Sequence, residues 1–513
     1  MVAYPVICHN IYIPIKINLK KEVQNLKLPT HIMVKNRSGI KSFFRPLVGL
    51  IQDQYIKYVP SYGNGFFFTI GIYLLELIVI LAFTGMVMLI FGPYWWDVNP
   101  IGTLFRSIHL WAAEAFVTLM FIHLFVNLST SSFKKKRLVW IIGSLMLLLV
   151  LLEFAFGVGI QGGLISQWND KAGADLWNGL GLGFWLNPLN QGAVIGWHVA
   201  IIPFLLALLV FVHYSLVRKD GLSKPYRKDI PYKMVKADHA KMYRRMVYIF
   251  IIVMAFAFIF SSPYIPPLTI AQAANSNPAN IGTTLLQEFN HSSGTATYLD
   301  TIDPYTFNTR TVFFLVPYAS YISFSNKTNK LSLFFSENSS QQEADFSSAY
   351  AYFNNNGSVL GAISSNNPLL SATGELIQMA QSGEYQLVVQ NESSSGLDET
   401  YVLRFLYDSG ALSNLATQYG LRTSQFGMLK VGAPPWSIAY WLIPYNVLEI
   451  ETANIPWWND LENGLVAMFV FLLLLFLPFI PGLNKLPDKL KMYKLFWNRY
   501  TNPEMRKKGR RSH

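Results

Sequence analysis

The sequence predicts an all-α transmembrane bundle of six helices that carries an inserted β-rich extracellular domain. Three observations favour this fold class. Hydrophobic residues make up 52% and charged residues 14% of the 513 residues, and several apolar runs exceed the ~18 residues expected of a membrane-spanning helix. Basic residues gather in four segments beside those runs. A polar stretch near 270–424 contains short alternating segments that are typical of strands.

The apolar runs define six predicted spans, named A to F in chain order: 65–91, 104–128, 138–160, 193–217, 246–261 and 465–480. The N-terminal segment, the B–C loop, the D–E loop and the C-terminal tail together hold 33 of the 41 Lys and Arg residues. Cytoplasmic segments carry such an excess, so we expect a multi-pass plasma membrane protein with both termini in the cytoplasm. Because the charge is split among four juxtamembrane segments, no nucleic-acid partner is expected.

Six regions follow from this topology. They are a cytoplasmic arm at 1–60, the bundle of helices A–E at 61–262, an outer β-rich insertion at 263–424, an outer segment at 425–460, the sixth helix at 461–482 and a basic cytoplasmic tail at 483–513.

The insertion is rich in Ser, Asn, Thr, Gly and Tyr, and its β-branched runs at 311–316, 330–335, 385–390 and 400–407 predict strands. It also holds five N-x-S/T sequons, which predict glycosylation of at least one site in a glycosylating host. Their acceptors are Asn290, Asn326, Asn338, Asn356 and Asn391.

Four histidines lie within the predicted spans. His109 and His123 on helix B are 14 residues apart, close to four helical turns, so their side chains share a face ~21 Å apart along the axis. His198 and His213 on helix D are 15 apart, and they share a face if the helix has one local irregularity. Helices B and D run in the same direction, so His109 matches His198 in depth and His123 matches His213. Four unrelated histidines would not show this match, and we predict a four-helix di-haem core with bis-histidine ligation of each haem iron.

Glycines on the other two core helices repeat the same spacing. Gly71 and Gly85 on helix A are 14 apart, as are Gly143 and Gly157 on helix C. Glycine lets a flat ring system approach a helix closely, so these positions are predicted to contact the haems. The alternative is ordinary glycine-mediated helix packing, which is common in membranes.

The segment His-Val-Ala-Ile-Ile-Pro at 198–203, continued by His-Tyr-Ser-Leu-Val-Arg-Lys-Asp-Gly-Leu-Ser-Lys-Pro at 213–225, resembles the cytochrome b family of quinol-oxidising complexes. The 15-residue histidine spacing is similar to the plastid-type branch. Trp140-Ile-Ile-Gly143 and Ser166-x-Trp168 match further family positions, and the resemblance covers roughly 60–270 and 425–485. It implies that Arg106 pairs with a haem propionate.

In that family an outer quinol site follows span E and includes a Pro-Glu-Trp-Tyr motif. The nearest match here is Pro434-Pro435-Trp436-Ser437, which has a proline in place of the glutamate, while Tyr440-Trp441 is an alternative counterpart. Another acid must then accept the proton. The resemblance therefore implies a site built from Pro434, Trp436 and Tyr440, with Glu114 as proton acceptor and Glu449 or Glu451 as alternatives.

Three acids lie within the spans, at Glu76, Glu114 and Glu153. A buried carboxylate is costly in a membrane unless it is neutral or partnered. Glu114 and Glu153 fall in the outer half of the membrane. They are interpreted either as part of a proton exit path or as hydrogen-bonded structural acids.

The resemblance implies the cytochrome b subunit of a respiratory complex, similar to archaeal terminal-oxidase and Rieske–cytochrome b assemblies. Quinol would be oxidised on the outer face, and two non-covalent haems, of B or A type, would carry electrons across the membrane. The single cysteine, Cys8, cannot hold an Fe–S cluster. A Rieske Fe–S protein and terminal oxidase or other respiratory subunits are therefore the expected partners, with quinone and lipid. The alternatives are a di-haem anchor of a dehydrogenase and a non-catalytic, glycosylated surface protein.

Overall fold

The computed structural model describes residues 58–183, 185–222, 233–262, 264–298, 307–430, 439–455 and 460–496. The N-terminal segment up to residue 57 and the last part of the C-terminal tail lie outside the described residues. Helices dominate, and the strands of the described part are β1 and β2, which form one antiparallel pair. The elements of the membrane part are β1 Tyr58–Pro60, α1 Phe66–Phe91, α2 Pro93–Val98, α3 Pro100–Ser129, α4 Arg137–Gly159, α5 Leu164–Gly179, α6 Gln191–Lys219, β2 Met234–Lys236 and α7 His239–Ile259.

Five of these helices are long and apolar enough to cross a membrane, and they correspond to predicted spans A to E: α1, α3, α4, α6 and α7. Helix α1 packs along α3, α4 packs along α6, and α7 lies against α3. The two long pairs form the core of the bundle.

The predicted sixth span is a shorter apolar helix. It begins at Asp460 and ends at Leu475, a length of ~24 Å against a hydrocarbon core of ~30 Å. A 3₁₀ turn, Leu477–Phe479, follows it. Trp140 on α4 donates a hydrogen bond from its indole nitrogen to the carbonyl oxygen of Leu474, at 2.8 Å, which anchors the end of this helix to the bundle.

Four basic segments meet at one end of the bundle, which we call the basic end. Strand β1 pairs with β2 there. Lys136 in the loop after α3 donates to the carbonyl of Gly221 after α6, and Lys134 pairs with Asp488 of the tail. These contacts place the described parts of all four basic segments on the same side, as the topology predicted from charge requires.

At the opposite end lies the inserted region, and the prediction of a β-rich domain is wrong for its described residues. It is helical: α8 Ile270–Ser276, α9 Pro278–Phe289, α10 Gly294–Tyr298, α11 Thr311–Ser325, α12 Lys330–Ser336, α13 Ser339–Asn354, α14 Val359–Ile363, α15 Pro368–Ser382, α16 Glu384–Asn391, α17 Thr400–Asp408 and α18 Ala411–Gln418. Each of the four predicted strands falls within one of these helices.

The Asn and Ser clusters explain this error. They were interpreted as turns between strands, but Asn277, Asn329, Asn338, Ser358 and Asn367 each accept a backbone N–H from the first turn of a helix. Such N-caps are favoured by the same residue types that favour turns. A run of six to eight apolar residues between them fits a short buried helix as well as a strand.

The helical insertion packs around α15. Twelve of the 15 residues of helix α15 are buried, and they join a large apolar core with residues such as Phe313, Phe314 and Phe405. The five sequon asparagines named above are exposed, which is compatible with glycosylation but does not test it.

Candidate functional site

The four membrane histidines form two pairs inside the bundle. The rings of His109 and His198 have their centroids 6.2 Å apart. This separation leaves room for one metal ion between two imidazole nitrogens at bonds of about 2 Å each. His123 and His213 lie close enough to interact electrostatically nearer the basic end. The structure therefore brings together the residues that the sequence pattern paired.

The local irregularity expected in span D is present. Residues Trp197–Ile201 form a π-helical turn that ends two residues before Pro203. Proline has no N–H to donate to the preceding turn, so the helix accommodates one extra residue there. That extra residue brings His198 and His213 onto one face despite a spacing of 15. In α3, where the spacing is 14, the helix between His109 and His123 is regular.

Hydrogen bonds at Nδ1 set the tautomer of both rings of the first pair. The hydroxyl of Thr84 donates to the carbonyl of Ile80 at 2.8 Å, so at 2.9 Å its oxygen accepts from Nδ1–H of His109. Nδ1 of His198 lies 3.0 Å from the carbonyl oxygen of Glu153, which can only accept. Both imidazoles therefore carry their proton on Nδ1, and the lone pair of Nε2 is free to bind a metal.

Each predicted glycine faces one histidine ring. A Cβ atom built on Gly157 would lie 2.9 Å from Cε1 of His198, and one on Gly85 would lie 3.2 Å from Cε1 of His109. In the second pair, the corresponding distances are 3.4 Å from Gly143 to His213 and 3.8 Å from Gly71 to His123. The glycines of α1 thus make room for the histidines of α3, and those of α4 for the histidines of α6. The four glycines therefore contact the imidazole rings of the histidines.

Residues around both pairs fit bis-histidine haem ligation. In the first pair, two opposed imidazoles with fixed tautomers would hold the iron of a haem, and in both pairs a glycine behind each ring leaves space for the imidazole. Among the described residues, no cluster of three or more His, Cys, Asp or Glu side chains could hold a separate metal ion.

Arg106 lies at the end of the bundle that carries the insertion, which we call the domain end, one helical turn from His109, and it is buried. Its Nη1 forms an ion pair with Asp97 at 2.5 Å, and its Nη2 donates to the carbonyl of Ser262 at 2.8 Å. The predicted contact with a haem propionate stays a prediction, and in this structure the guanidinium links α2 to the segment that follows α7.

The candidate quinol residues are only partly within the described chain. Pro434 and Trp436 lie outside the described residues. Tyr440 begins a 3₁₀ turn, Tyr440–Leu442, and its hydroxyl is hydrogen-bonded to Thr118 on α3 and close to the carboxyl group of Glu114. Burial raises the pKa of Tyr440, so its hydroxyl stays protonated at neutral pH.

Trp441 places this turn between two core helices. Its ring lies edge-on to Phe154 of α4, with centroids 5.0 Å apart, and stacks against Phe121 of α3 at 6.5 Å. Glu114 is buried, and in the described part of the chain its Oε1 has no hydrogen-bond partner. By contrast Glu449 on the following helix, Ile443–Thr452, accepts from the hydroxyl of Thr423 at 3.2 Å. The structure thus brings Glu114 and Tyr440 together.

Helix α5 links this region to the insertion, which the sequence did not predict. Gln167 is buried and forms two hydrogen bonds with the backbone of Leu268: its Nε2 donates to the carbonyl at 3.1 Å, and its Oε1 accepts from the amide at 2.8 Å. Lys171 pairs with Asp175 and lies 3.7 Å above the ring of Tyr407. Polar residues such as Gln167 and Lys171 among apolar neighbours are the sequence signal that could have indicated this contact.

Comparison with known proteins finds a family match over part of the chain. Residues 114–273 match the family model described as cytochrome b (N-terminal)/b6/petB. Cytochrome b6 of Prochlorococcus marinus (strain MIT 9303) is 26% identical over 216 residues, which cover 37% of this chain and 99% of the relative. Cytochrome b6 of Chlamydomonas reinhardtii is 31% identical over 142 residues, 25% of this chain and 65% of the relative. Among solved structures, a chain of a hyperthermophilic respiratory Complex III aligns over 73% of this chain and 98% of its own length, with 20% identity and a TM-score of 0.36.

Proposed function

We propose, from the membership of this chain in the cytochrome b family, that it is the subunit of a membrane respiratory complex that oxidises quinol at the domain end and conducts electrons between its two histidine pairs. The observation that carries this proposal is the first pair, whose rings lie 6.2 Å apart with both Nδ1 atoms protonated. A haem bound between each pair would supply a one-electron carrier. The residues of the chain orient its ligands and exclude water.

Quinol oxidation would occur beside Glu114 and Tyr440. Quinol loses two electrons and two protons, and a positioned carboxylate is a suitable proton acceptor. Glu114 has a buried oxygen without a partner, and the Tyr440 hydroxyl lies close to it. Trp441 and the phenylalanines around it give an apolar pocket wall that suits a ring with two polar oxygens. One electron would enter the His109/His198 pair and continue to His123/His213, and the other would leave to a Rieske-type Fe–S partner.

The topology supports an orientation with the domain end outside. By the positive-inside bias the basic end faces the cytoplasm, so electrons would move inward from the quinol site. Quinone would be reduced at the basic end with proton uptake from the cytoplasm. The helical insertion would then be extracellular.

Absorption spectra of the purified protein before and after dithionite test the haem assignment. Two reducible haems per chain are expected, and their spectra distinguish B-type from A-type haem. Quinol-driven reduction then tests the site: Glu114→Gln and Tyr440→Phe should slow it by about 10²-fold or more, the range for loss of a positioned proton acceptor. Trp436→Leu should slow it without changing either haem spectrum. Full turnover in all three variants would exclude this segment from the quinol site.

A further inference from the structure

A line of polar side chains follows one face of α1 from the basic end into the membrane. Thr69, Tyr73 and Glu76 are spaced by four and three residues, so they share a face and span ~10 Å along the helix axis. The rest of α1 at these levels is apolar. Polar groups inside a membrane span are costly and usually mark an ion or proton path.

The first part of this line is hydrogen-bonded to the surface at the basic end. Arg245 of α7 donates from Nη1 to the carbonyl of Asn64 at 3.1 Å, and the same nitrogen lies 3.4 Å from the hydroxyl oxygens of Thr69 and Tyr73. These two hydroxyl oxygens are 2.8 Å apart. Asn64 in turn accepts from the backbone amide of Asp238 at 2.9 Å, in the loop before α7. A chain of hydroxyl groups therefore runs from an exposed loop to Tyr73, which is fully buried.

Glu76 lies at the far end of the line. Its Oε2 is buried and has no hydrogen-bond partner in the described part of the chain. Gly71 lies at the level of His123, because a Cβ atom built on it would face that ring. Glu76 is five residues further along α1 and therefore lies ~7.5 Å past the level of that histidine. A rotation of five residues turns its side chain away from the histidine, towards the side where α7 packs.

An electron that enters the bundle adds a charge in a medium of low dielectric constant, and that charge is costly unless a proton follows it. Glu76 is placed between the levels of the two histidine pairs, on the helix face whose hydroxyl groups lead inward from the basic end. The charged group beside this line is Arg245 of α7, whose Nη1 lies 3.4 Å from the hydroxyl oxygen of Tyr73.

We propose that Thr69, Tyr73 and Glu76 form a proton path that opens beside Arg245 at the basic end, and that the Glu76 carboxylate takes up one proton through it when the bundle accepts one electron. This inference rests on the proposed electron-transfer function. The proton comes from water at the basic end, and Tyr73 receives a proton from the side of Thr69 as it passes its own towards Glu76. Tyr73 is therefore unchanged after each transfer, and the electron is balanced by the proton on Glu76.

Reduced-minus-oxidised infrared spectra of the purified complex test this proposal, with the haems reduced at an electrode in the absence of quinone. The wild-type spectrum is expected to contain the carbonyl band of a newly protonated carboxylic acid, together with proton uptake measured by a pH dye. Glu76→Gln should remove that band and its share of proton uptake. Tyr73→Phe should keep the band but slow its appearance by about 10²-fold, as expected when a proton-transfer group is lost.

Tyr248→Phe is the matched control, because Tyr248 lies on α7 with 61% of its surface exposed on the lipid-facing side. It should leave the band and its rate unchanged. Retention of two reducible haems and an unchanged unfolding temperature shows that Glu76→Gln is folded. An unchanged band and proton uptake in a folded Glu76→Gln protein overturn the path and leave the haem function standing. A wild-type chain without reducible haem overturns both.

Discussion

Gly157 of α4 lies directly against His198 of α6, so close that a Cβ atom on the glycine would lie 2.9 Å from Cε1 of the imidazole. Real Cβ atoms do not approach so closely, and the ring cannot retreat because its Nδ1 is hydrogen-bonded to the carbonyl of Glu153. The same relationship is looser at Gly71, where the distance to the ring of His123 is 3.8 Å. The four glycines therefore differ in how much they restrict their histidines.

This difference gives a graded prediction. Gly157→Ala should displace His198 and shift the midpoint potential or the occupancy of the haem at the domain end. Gly71→Ala should be tolerated, because 3.8 Å is an ordinary van der Waals contact. Redox titration of both haems in each variant is the measurement. Equal effects of the two substitutions would show that the glycines serve general helix packing.

Loss of a ligand should affect one haem at a time. His213→Ala should remove the haem nearer the basic end and retain the one between His109 and His198, so haem content should fall to about half of the two-site value expected for facing helices. Haem is counted by extraction and absorption spectroscopy. His291→Ala, in the helical insertion, is the control and should retain both. Two reducible haems in the His213→Ala protein would refute the pairing.

The double hydrogen bond between Gln167 and Leu268 should hold the insertion onto α5. Gln167→Leu leaves the amide and the carbonyl of Leu268 buried without partners, at a cost of about 1–3 kcal/mol for each group. We expect a lower unfolding temperature and faster proteolysis within the insertion. Gln418→Leu, at the exposed end of α18, is the matched control and should behave as wild type. Identical proteolysis of the two variants would contradict this role.

Glu288 should make the stability of the insertion depend on pH. Burial, followed by the nearby charge of Asp408, raises the pKa of Glu288 well above its usual value. The unfolded chain ionises near pH 4.3, so the folded form is fully favoured below that pH. The free energy of unfolding should fall as pH rises above it, by at most about 1.4 kcal/mol per pH unit.

Thermal unfolding of the full-length protein at several pH values checks this expectation. Glu288→Gln should be more stable than wild type at neutral pH and should lose much of the pH dependence. Glu384→Gln, at an exposed position in the first turn of α16, should change neither property. A Glu288→Gln protein with wild-type pH dependence would assign the effect to other groups.

Composition and spacing predicted the membrane part well because they act over long, regular segments. Spans A to E each contain enough apolar residues to give one unambiguous helix. The 14-residue repeats follow from the helical period alone, and the structure confirms that His109 and His198 lie together. The insertion was wrongly predicted because Asn338 and Asn367 start helices with the same side chains that could have formed turns.

The sequence by itself determined the positions of the five long spans, the clustering of the basic segments at one end and the register of four histidines, whereas the sixth predicted span is a shorter helix. Each depends on local composition and on the fixed rise of a helix. The sequence indicated one local irregularity in span D, which the structure shows as a π-turn before Pro203. Only the tertiary structure decided that Tyr440 reaches Glu114 and that Gln167 binds Leu268. These two relationships join residues 326 and 101 positions apart, and they form because packed helices bring separate polar groups into shared buried space.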